Sequence, residues 1–159
     1  MEQKQPTTTT EQAAMIAAAR EIMGLQKYCA LVTLDSSGHP RIRAMNPFPP
    51  EHDMTVWMAT NSRSRKVEEI RNCSRVCLYY ADHQEASGQV ILTGKAVLVT
   101  EMSEILKRKR DYWEQAFPDW TYLILIKVVP EELVVLNYQQ GLVNDAVTWQ
   151  APSLKFDKP

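Results

Sequence analysis

The sequence predicts an α+β domain built around a closed or nearly closed β-barrel of six to seven mostly antiparallel strands. Three observations support this fold class. Apolar runs of strand length outnumber the helical segments, the connections are short and rich in turn residues, and Gly94 interrupts an apolar run at 89–99. Glycine inside a strand marks a bend or bulge, and bent strands are typical of barrels. The predicted order is one helix, three strands, a short helix, two long strands, a helix and two strands.

Length, charge and cysteine content restrict the classes of function. The chain has 159 residues and a net charge of -1, which fits one domain and argues against a general binder of nucleic acids or membrane surfaces. It has no apolar run of transmembrane length and a polar start, so we expect a cytoplasmic protein. Cys29, Cys73 and Cys77 cannot all pair and lack the spacing of a zinc site. We therefore expect buried free thiols and no metal.

The first predicted element is an amphipathic helix that follows a threonine-rich segment. Residues 1–10 are of low complexity, and we expect them to form a disordered tail. Thr8 and Glu11 have the spacing of a capping box. The apolar positions that follow repeat at helical intervals as far as Gly24; they are Met15, Ile16, Ala19, Ile22 and Met23. We place the folded domain at residues 11–140 and a C-terminal tail at 141–159.

Two predicted strands, 28–34 and 41–45, are joined by a tight turn, which indicates an antiparallel hairpin. In the second strand Arg41, Arg43 and Met45 share one face, because side chains alternate along a strand. Two arginines on one face of a core strand indicate a partner anion. The alternative is the solvent face of an edge strand.

The next stretch, at residues 60–66, gathers hydroxyl, amide and cationic side chains; it reads Thr60-Asn61-Ser62-Arg63-Ser64-Arg65-Lys66. It follows an apolar strand at 54–59 and opens a helix at 67–71. The free N–H groups and the dipole of a helix favour an anion at its first turn. We interpret the stretch as a phosphate seat, and the alternative is an ordinary N-capped surface helix with a solvated basic start.

The second half of the chain supplies the rest of the predicted barrel. Its predicted elements are strands at 75–80 and 89–99, a helical segment at 102–117, and strands at 122–129 and 132–136 separated by Pro130. The helical segment contains a basic run at 107–110. Acidic residues flank this run, so we expect it to form a solvated face rather than a nucleic-acid patch.

Motifs of several enzyme classes are absent from the sequence. It has no G-x-G-x-x-G, which leaves a Rossmann-type dinucleotide site unsupported, and neither a P-loop nor G-x-S-x-G. His39, His52 and His83 all fall in predicted polar loops, so histidine-based catalysis has little support. We assign no catalytic residue.

Four segments, 41–46, 60–66, 75–78 and 89–96, form an ordered set that resembles the pyridoxamine phosphate oxidase-like flavin-binding superfamily. Within it, the chain is most similar to the general stress protein 26 branch. The resemblance covers residues 25–136. It implies a split β-barrel that is usually a homodimer, with FMN held in a groove between the two subunits.

The resemblance assigns the phosphate end of the cofactor to two places in the chain. Arg43 matches the strand arginine that contacts the FMN phosphate, and a forked guanidinium suits a phosphate better than an ammonium would. Arg41 is a secondary candidate. Ser64, Arg65 and Lys66 match the turn on the phosphate side.

The resemblance also implies contacts with the flavin ring. Thr60 matches a strand-end threonine near the ring, and Gln89 matches a glutamine that approaches the cofactor from the other subunit. Further candidate ring neighbours are Ala44, Met45, Trp57, Met58 and Ala59. The chain departs from the oxidases at 46–48 and has no match after Leu136 to their C-terminal segment, so the resemblance implies flavin binding without the oxidase reaction.

The expected function is therefore an FMN-binding protein, and more finely an FMN-dependent oxidoreductase of unknown substrate linked to the stress response. NAD(P)H or another small molecule would be its electron donor, since the cofactor carries the redox chemistry. Three alternatives stay open at this stage: a deazaflavin-dependent reductase, a non-catalytic flavin-binding stress protein, and a structural dimer with an empty groove. FAD or a deazaflavin could also replace FMN.

Overall fold

The computed structural model describes residues 8–157. Most of the predicted N-terminal tail lies outside this range. The helices are α1 Thr9–Gly24, α2 Arg65–Asn72, α3 Met102–Lys107 and α4 Trp113–Ala116. The strands are β1 Cys29–Leu34, β2 Pro40–Met45, β3 Val56–Asn61, β4 Arg75–Ala81, β5 Gly88–Val99, β6 Leu123–Asn137 and β7 Ser153–Lys155.

The seven described strands form one antiparallel sheet. Its path runs β2-β1-β4-β5-β6-β3, and β7 pairs with β6 beside β3. The sheet curls around a continuous apolar core drawn from all the strands and from α1. This architecture confirms the predicted α+β split β-barrel.

Helix α1 begins as the sequence predicts and covers the core. The Thr8 side chain accepts a hydrogen bond from the Glu11 backbone N–H, and the Glu11 carboxylate accepts one from Thr8 N–H. This capping box satisfies two of the free donors at the helix start. The predicted apolar stripe is the face that packs into the core, where Ala19 and Ile22 are almost fully buried.

Strand β6 is longer than predicted. The sequence indicates two strands interrupted at Pro130, whereas β6 runs unbroken for 15 residues. Its pairing with β5 shifts register between Thr93 and Gly94, opposite Pro130. A Cβ on Gly94 would lie 2.1 Å from the Val129 carbonyl oxygen, so the two backbones approach closely here. The predicted bend at Gly94 is therefore the means by which β5 accommodates the proline.

The predicted helical segment at 102–117 forms two short helices, α3 and α4, which cover a second apolar cluster. This cluster contains Trp57, Ile105, Trp113, Leu123 and Leu125. The expectation of a fully solvated basic run is wrong for two arginines. Arg108 stacks on the Trp57 ring at 3.7 Å and forms ion pairs with Glu51 and Glu104. Arg110 packs over the Phe48 ring at 4.0 Å and donates to the Pro47 carbonyl oxygen at 2.8 Å. A guanidinium packs on an indole face while its edges stay paired, which an isolated charge pattern does not indicate.

The end of the chain also joins the fold. Within the predicted C-terminal tail, β7 pairs with β6, and Leu154 is buried in the main core. Ahead of it, a turn at residues 145–150 leaves Trp149 77% exposed. Among residues 8–157, no helix has the length and apolarity needed to cross a bilayer.

Candidate functional site

The hairpin of β1 and β2 separates the two strand arginines. Arg41 and Arg43 lie opposite Thr33 and Leu31 of β1. Arg41 turns back toward the hairpin turn, where its guanidinium forms an ion pair with Asp35 at 2.9 Å. Arg43 is half-buried, and its side chain reaches toward helix α2. Only Arg43 is therefore positioned to meet the predicted phosphate stretch.

Arg43 is held by a buried carboxylate and a buried hydroxyl. Its Nη2 donates to Glu69 Oε2 at 2.7 Å, and its Nη1 donates to Thr33 Oγ1 at 2.6 Å. The Thr33 hydroxyl donates in turn to the same Glu69 oxygen at 2.5 Å. Burial alone would raise the pKa of Glu69, but the hydrogen bonds from Thr33 and Arg43 outweigh it and hold the pKa below the usual glutamate value. Glu69 is therefore ionised inside the protein.

The first turn of α2 brings further polar groups to the same place. Ser64 is the N-cap residue of α2 without a side-chain capping bond, and its hydroxyl lies 3.4 Å from that of Thr60. Lys66 Nζ donates to Thr60 Oγ1 at 3.2 Å. Burial of Lys66 and the neighbouring charge of Arg43 lower the pKa of its ammonium. Arg65 is exposed, and its Nε lies 3.6 Å from Glu69 Oε1.

We call the cluster formed by Thr60, Ser64, Arg65, Lys66 and Arg43 the anion seat. Its three cations stand against the single Glu69 carboxylate, which leaves two formal positive charges. A phosphate monoester carries about -1.5 to -2 at neutral pH, so the charges match. The seat also has unused donors. Within residues 8–157, the hydrogen bonds of Arg43 use Nη1 and one Nη2 hydrogen, and Nε makes none.

Comparison with known proteins identifies the family of the chain. The model of the pyridoxamine 5'-phosphate oxidase family matches residues 15–138, which is most of the chain. The chain belongs to this family. None of the curated proteins matches it by sequence.

Solved structures share the fold of this family member. General stress protein 26 of Bacillus anthracis has 19% identity and a TM-score of 0.65, with 76% of this chain and 92% of that one covered. A protein of Clostridium acetobutylicum related to general stress protein 26, of the pyridoxinephosphate oxidase family, has 20% identity and a TM-score of 0.71, with 92% and 96% covered. An F420 reductase has 16% identity and a TM-score of 0.54, with 67% and 87% covered. These likenesses, at 20% identity or less, show the fold alone.

The other predicted contact residues of this family member lie outside the anion seat. Met45, Trp57 and Met58 have buried side chains, and Trp57 belongs to the second apolar cluster, beside which Ala59 is partly buried. Ala44 is exposed and lies on the face of β2 opposite to Arg43 and Met45. Their roles as ring neighbours remain predictions.

Gln89 lies far from the seat in the same subunit. Its strand, β5, is separated from β2 by β4 and β1. The side-chain amide oxygen Oε1 of Gln89 accepts a hydrogen bond from the Tyr79 hydroxyl at 3.0 Å. The contact of Gln89 with the cofactor from a second subunit, which the family resemblance implies, stays a prediction.

The outer face of the sheet is apolar where Gln89 and Tyr79 lie. Residues directly opposite each other on neighbouring strands share a face. One such row crosses five strands and consists of Ala44, Ala30, Tyr79, Ile91 and Val134. The next row begins with Ile42, which is 70% exposed, and runs through Val32 and Cys77 to the polar Thr93 and Glu132. A groove of about 600 Å³ runs over the end of this surface. We call these two rows the outer sheet face.

Sequence reasoning missed two residues that shape the seat, Thr33 and Glu69. A weak signal existed for each. Thr33 is a polar residue in an otherwise apolar strand, and Glu69 follows Arg65 by four positions, the spacing of an ion pair along a helix. Neither signal shows that both side chains converge on Arg43, because that convergence depends on how α2 packs against β1.

Proposed function

We propose that this protein binds FMN with the phosphate in the anion seat. The observation that carries the proposal is the half-buried Arg43. Thr33 and Glu69 accept hydrogen bonds from its Nη atoms, while its Nε makes no hydrogen bond among the described residues. Lys66 and the hydroxyl of Ser64 lie on the adjoining helix turn, where they would complete the phosphate contacts. A terminal phosphate monoester, which carries about -1.5 to -2 at neutral pH, matches the two formal positive charges of the seat.

We further propose that the protein is an FMN-dependent oxidoreductase whose electron donor is NAD(P)H or another small molecule. Bound FMN supplies the hydride and electron chemistry of such an enzyme. The residues of the chain would bind and orient the cofactor. Arg43 and Lys66 would hold the phosphate, and Thr60, near the end of β3, accepts a hydrogen bond from Lys66. The second candidate is a non-catalytic flavin-binding stress protein, favoured by the structural likeness to general stress protein 26.

Titration with FMN and riboflavin tests the binding proposal, because the two ligands differ only in the phosphate. We expect FMN to bind about a hundredfold more tightly, since charge-assisted contacts each contribute about 1.5–3 kcal/mol. Arg43→Ala should weaken FMN by about 2–4 kcal/mol. The exposed Lys109, paired with Glu114, is the matched control, and Lys109→Ala should leave the affinity unchanged. Equal affinities for FMN and riboflavin, or no binding of either, would contradict the proposal.

Anaerobic reduction separates the two candidate functions. With flavin bound, the protein is mixed with NADH or NADPH and the flavin absorption bands are followed. Rapid bleaching supports an oxidoreductase, whereas bands that persist with both donors favour the binding protein. Tighter binding of a deazaflavin than of FMN would instead support a deazaflavin-dependent reductase.

We propose that the outer sheet face is covered by a second copy of this chain. Contiguous apolar surface of this kind marks an interaction site, and Ile42 and the groove beside Tyr79 form its most exposed part. Ile42→Asp should convert a dimer into a monomer in sedimentation velocity, while Val147→Asp, at a position 89% exposed elsewhere, should not. A monomeric wild-type protein would contradict this.

We propose that the protein is cytoplasmic, because its cysteines are not paired in disulfides. Cys29, Cys73 and Cys77 are all free, and Cys29 is buried. Free thiols persist where the compartment is reducing. Fractionation of cells that express the tagged chain tests this placement, and recovery in a secreted fraction would refute it.

A further inference from the structure

A buried carboxylate beside a proposed phosphate site needs an explanation. Glu69 is only 4% exposed, and its charge would repel a phosphate. Burying a charge is unfavourable unless it is paired and hydrogen-bonded. The role of Glu69 therefore depends on what its contacts do for the groups that face the anion.

The contacts of Glu69 form a closed triangle. Arg43 donates to both Glu69 and Thr33, and the Thr33 hydroxyl donates to the Glu69 oxygen that Arg43 contacts. The three distances are 2.7, 2.6 and 2.5 Å. Thr33 on β1 thus accepts a hydrogen bond from Nη1 of Arg43, and Glu69 on α2 accepts one from Nη2. Because this group is planar and rigid, fixing its Nη atoms also fixes the direction of the Nε–H.

Without this constraint, the Arg43 side chain would change rotamer freely, and the charge of Lys66 would repel it. Arginine side chains lose about 2 kcal/mol of rotamer entropy when they are ordered. Arg43 also lies close enough to Lys66 for the two cations to repel each other. A negative charge behind Arg43 offsets this repulsion and holds the guanidinium in place before a ligand arrives. Preorganisation of this kind reduces the cost of binding.

We propose that Glu69, together with Thr33, is the positioning residue of the anion seat, which holds Arg43 by its Nη atoms so that its Nε edge points at the phosphate. The inference rests on the proposed function in taking the anion to be the phosphate of a bound cofactor. Glu69 does not touch the anion. It acts on the anion only through Arg43.

Three variants test this role through the ratio of FMN affinity to riboflavin affinity. Glu69→Ala removes the acceptor and should lower the ratio at least tenfold, since a loose Arg43 must be ordered on binding. Glu69→Gln keeps an oxygen that can accept from Arg43 and Thr33, so the ratio should stay at or above that of the wild type. Glu68→Ala, on the neighbouring exposed position of α2, is the control and should leave the ratio unchanged. Thr33→Val should lower the ratio, and Thr33→Ser should restore it.

Two results would overturn the proposal. A rise in the FMN ratio for Glu69→Ala would show that the carboxylate only competes with the phosphate for Arg43. An equal loss of FMN and riboflavin affinity in Glu69→Ala and Glu69→Gln would show a purely structural role. Thr33→Val replaces one hydroxyl by a methyl group. It therefore tests the positioning of Arg43 if Glu69→Ala does not fold.

A second measurement keeps this inference separate from the flavin proposal. If the wild-type protein binds neither FMN nor riboflavin, the proposed function fails, but positioning can still be read from Arg43 itself. We expect the NMR resonance of Arg43 Nε–H to be sharp in the wild type and to shift on addition of inorganic phosphate. In Glu69→Ala it should broaden beyond detection. A sharp Arg43 resonance in Glu69→Ala would refute positioning whatever the ligand.

Discussion

Replacing Arg43 by alanine should destabilise the protein even without a ligand. The change leaves the Glu69 carboxylate buried, because Glu69 keeps 5% of its side chain in solvent and Arg43 only 20%. Breaking a buried ion pair by removing one partner costs about 3–5 kcal/mol. Arg65 remains 3.6 Å from the other carboxylate oxygen, so we expect the lower end, about 3 kcal/mol. Domains of this kind have a total stability of about 5–15 kcal/mol, so the loss is a large fraction.

Urea unfolding of the ligand-free protein measures this loss. Arg41→Ala is the matched control, because Arg41 lies two positions away in the same strand and its ion pair with Asp35 is exposed. We expect it to cost less than about 1 kcal/mol. The double variant Arg43→Met/Glu69→Met removes both charges and should recover most of the stability, with a coupling of about 2 kcal/mol. Equal small losses for Arg43→Ala and Arg41→Ala would refute the reasoning.

The same ion pair predicts a dependence on pH. The pKa of Glu69 is lower in the folded protein than the usual 4.5. The stability that its charge contributes is therefore present above 4.5 and is lost as the pH falls through the lowered value. The unfolding curves of the wild type and Arg43→Ala should accordingly converge in acid. A difference that stays constant across this range would contradict the assignment.

Three further predictions concern other parts of the molecule. The affinity for FMN should fall as the pH rises through the lowered pKa of Lys66, because the neutral amine no longer pairs with phosphate. The affinity for riboflavin, titrated in parallel, should show no such fall. Arg108→Ala should lower stability by about 1–2 kcal/mol in thermal unfolding, because it removes the stacking on Trp57 and two ion pairs. Lys109→Ala is the control and should change stability by less than about 0.5 kcal/mol. Gly94→Ala should cost about 3 kcal/mol in urea unfolding, because its Cβ would lie 2.1 Å from a carbonyl oxygen of β6. Gly24→Ala, with no atom within 4 Å of the added methyl, should leave stability unchanged or raise it by up to about 1 kcal/mol, and a similar loss at both glycines would contradict the close approach.

The candidate site shows which inferences a sequence supports. The grouping of Thr60, Ser64 and Lys66 could be predicted, because a strand, a polar turn and a helix start are local patterns. Joining Arg43 to this group required the family resemblance, since some twenty residues separate them. Glu69 could not be placed beside Arg43 at all, because its orientation is set by the packing of α2 on β1.

The errors in the predicted elements also have physical causes. Because proline lacks an N–H, the sequence favours a strand end at Pro130. In the sheet it lies between the part of β6 that pairs with β3 and the part that pairs with β7, so it interrupts neither of those ladders. The solvated basic run was wrong at Arg108 because its partner Trp57 lies fifty residues earlier in the chain. Charge patterns report local neighbours and not distant aromatic faces.

The pairing of β3 sets an order for the folding of a newly synthesised chain. On the ribosome, β1 can pair with β2 at once, and β4 and β5 can add to them as they emerge. Among residues 8–157, the one strand partner of β3 is β6, whose first residue comes more than sixty positions later. Until β6 emerges, the apolar β3 has no strand partner, and exposed edges of this kind are prone to aggregate. The slowest step in biogenesis should therefore be the capture of β3 by β6, which also completes the strand end and helix turn on which the anion seat is built.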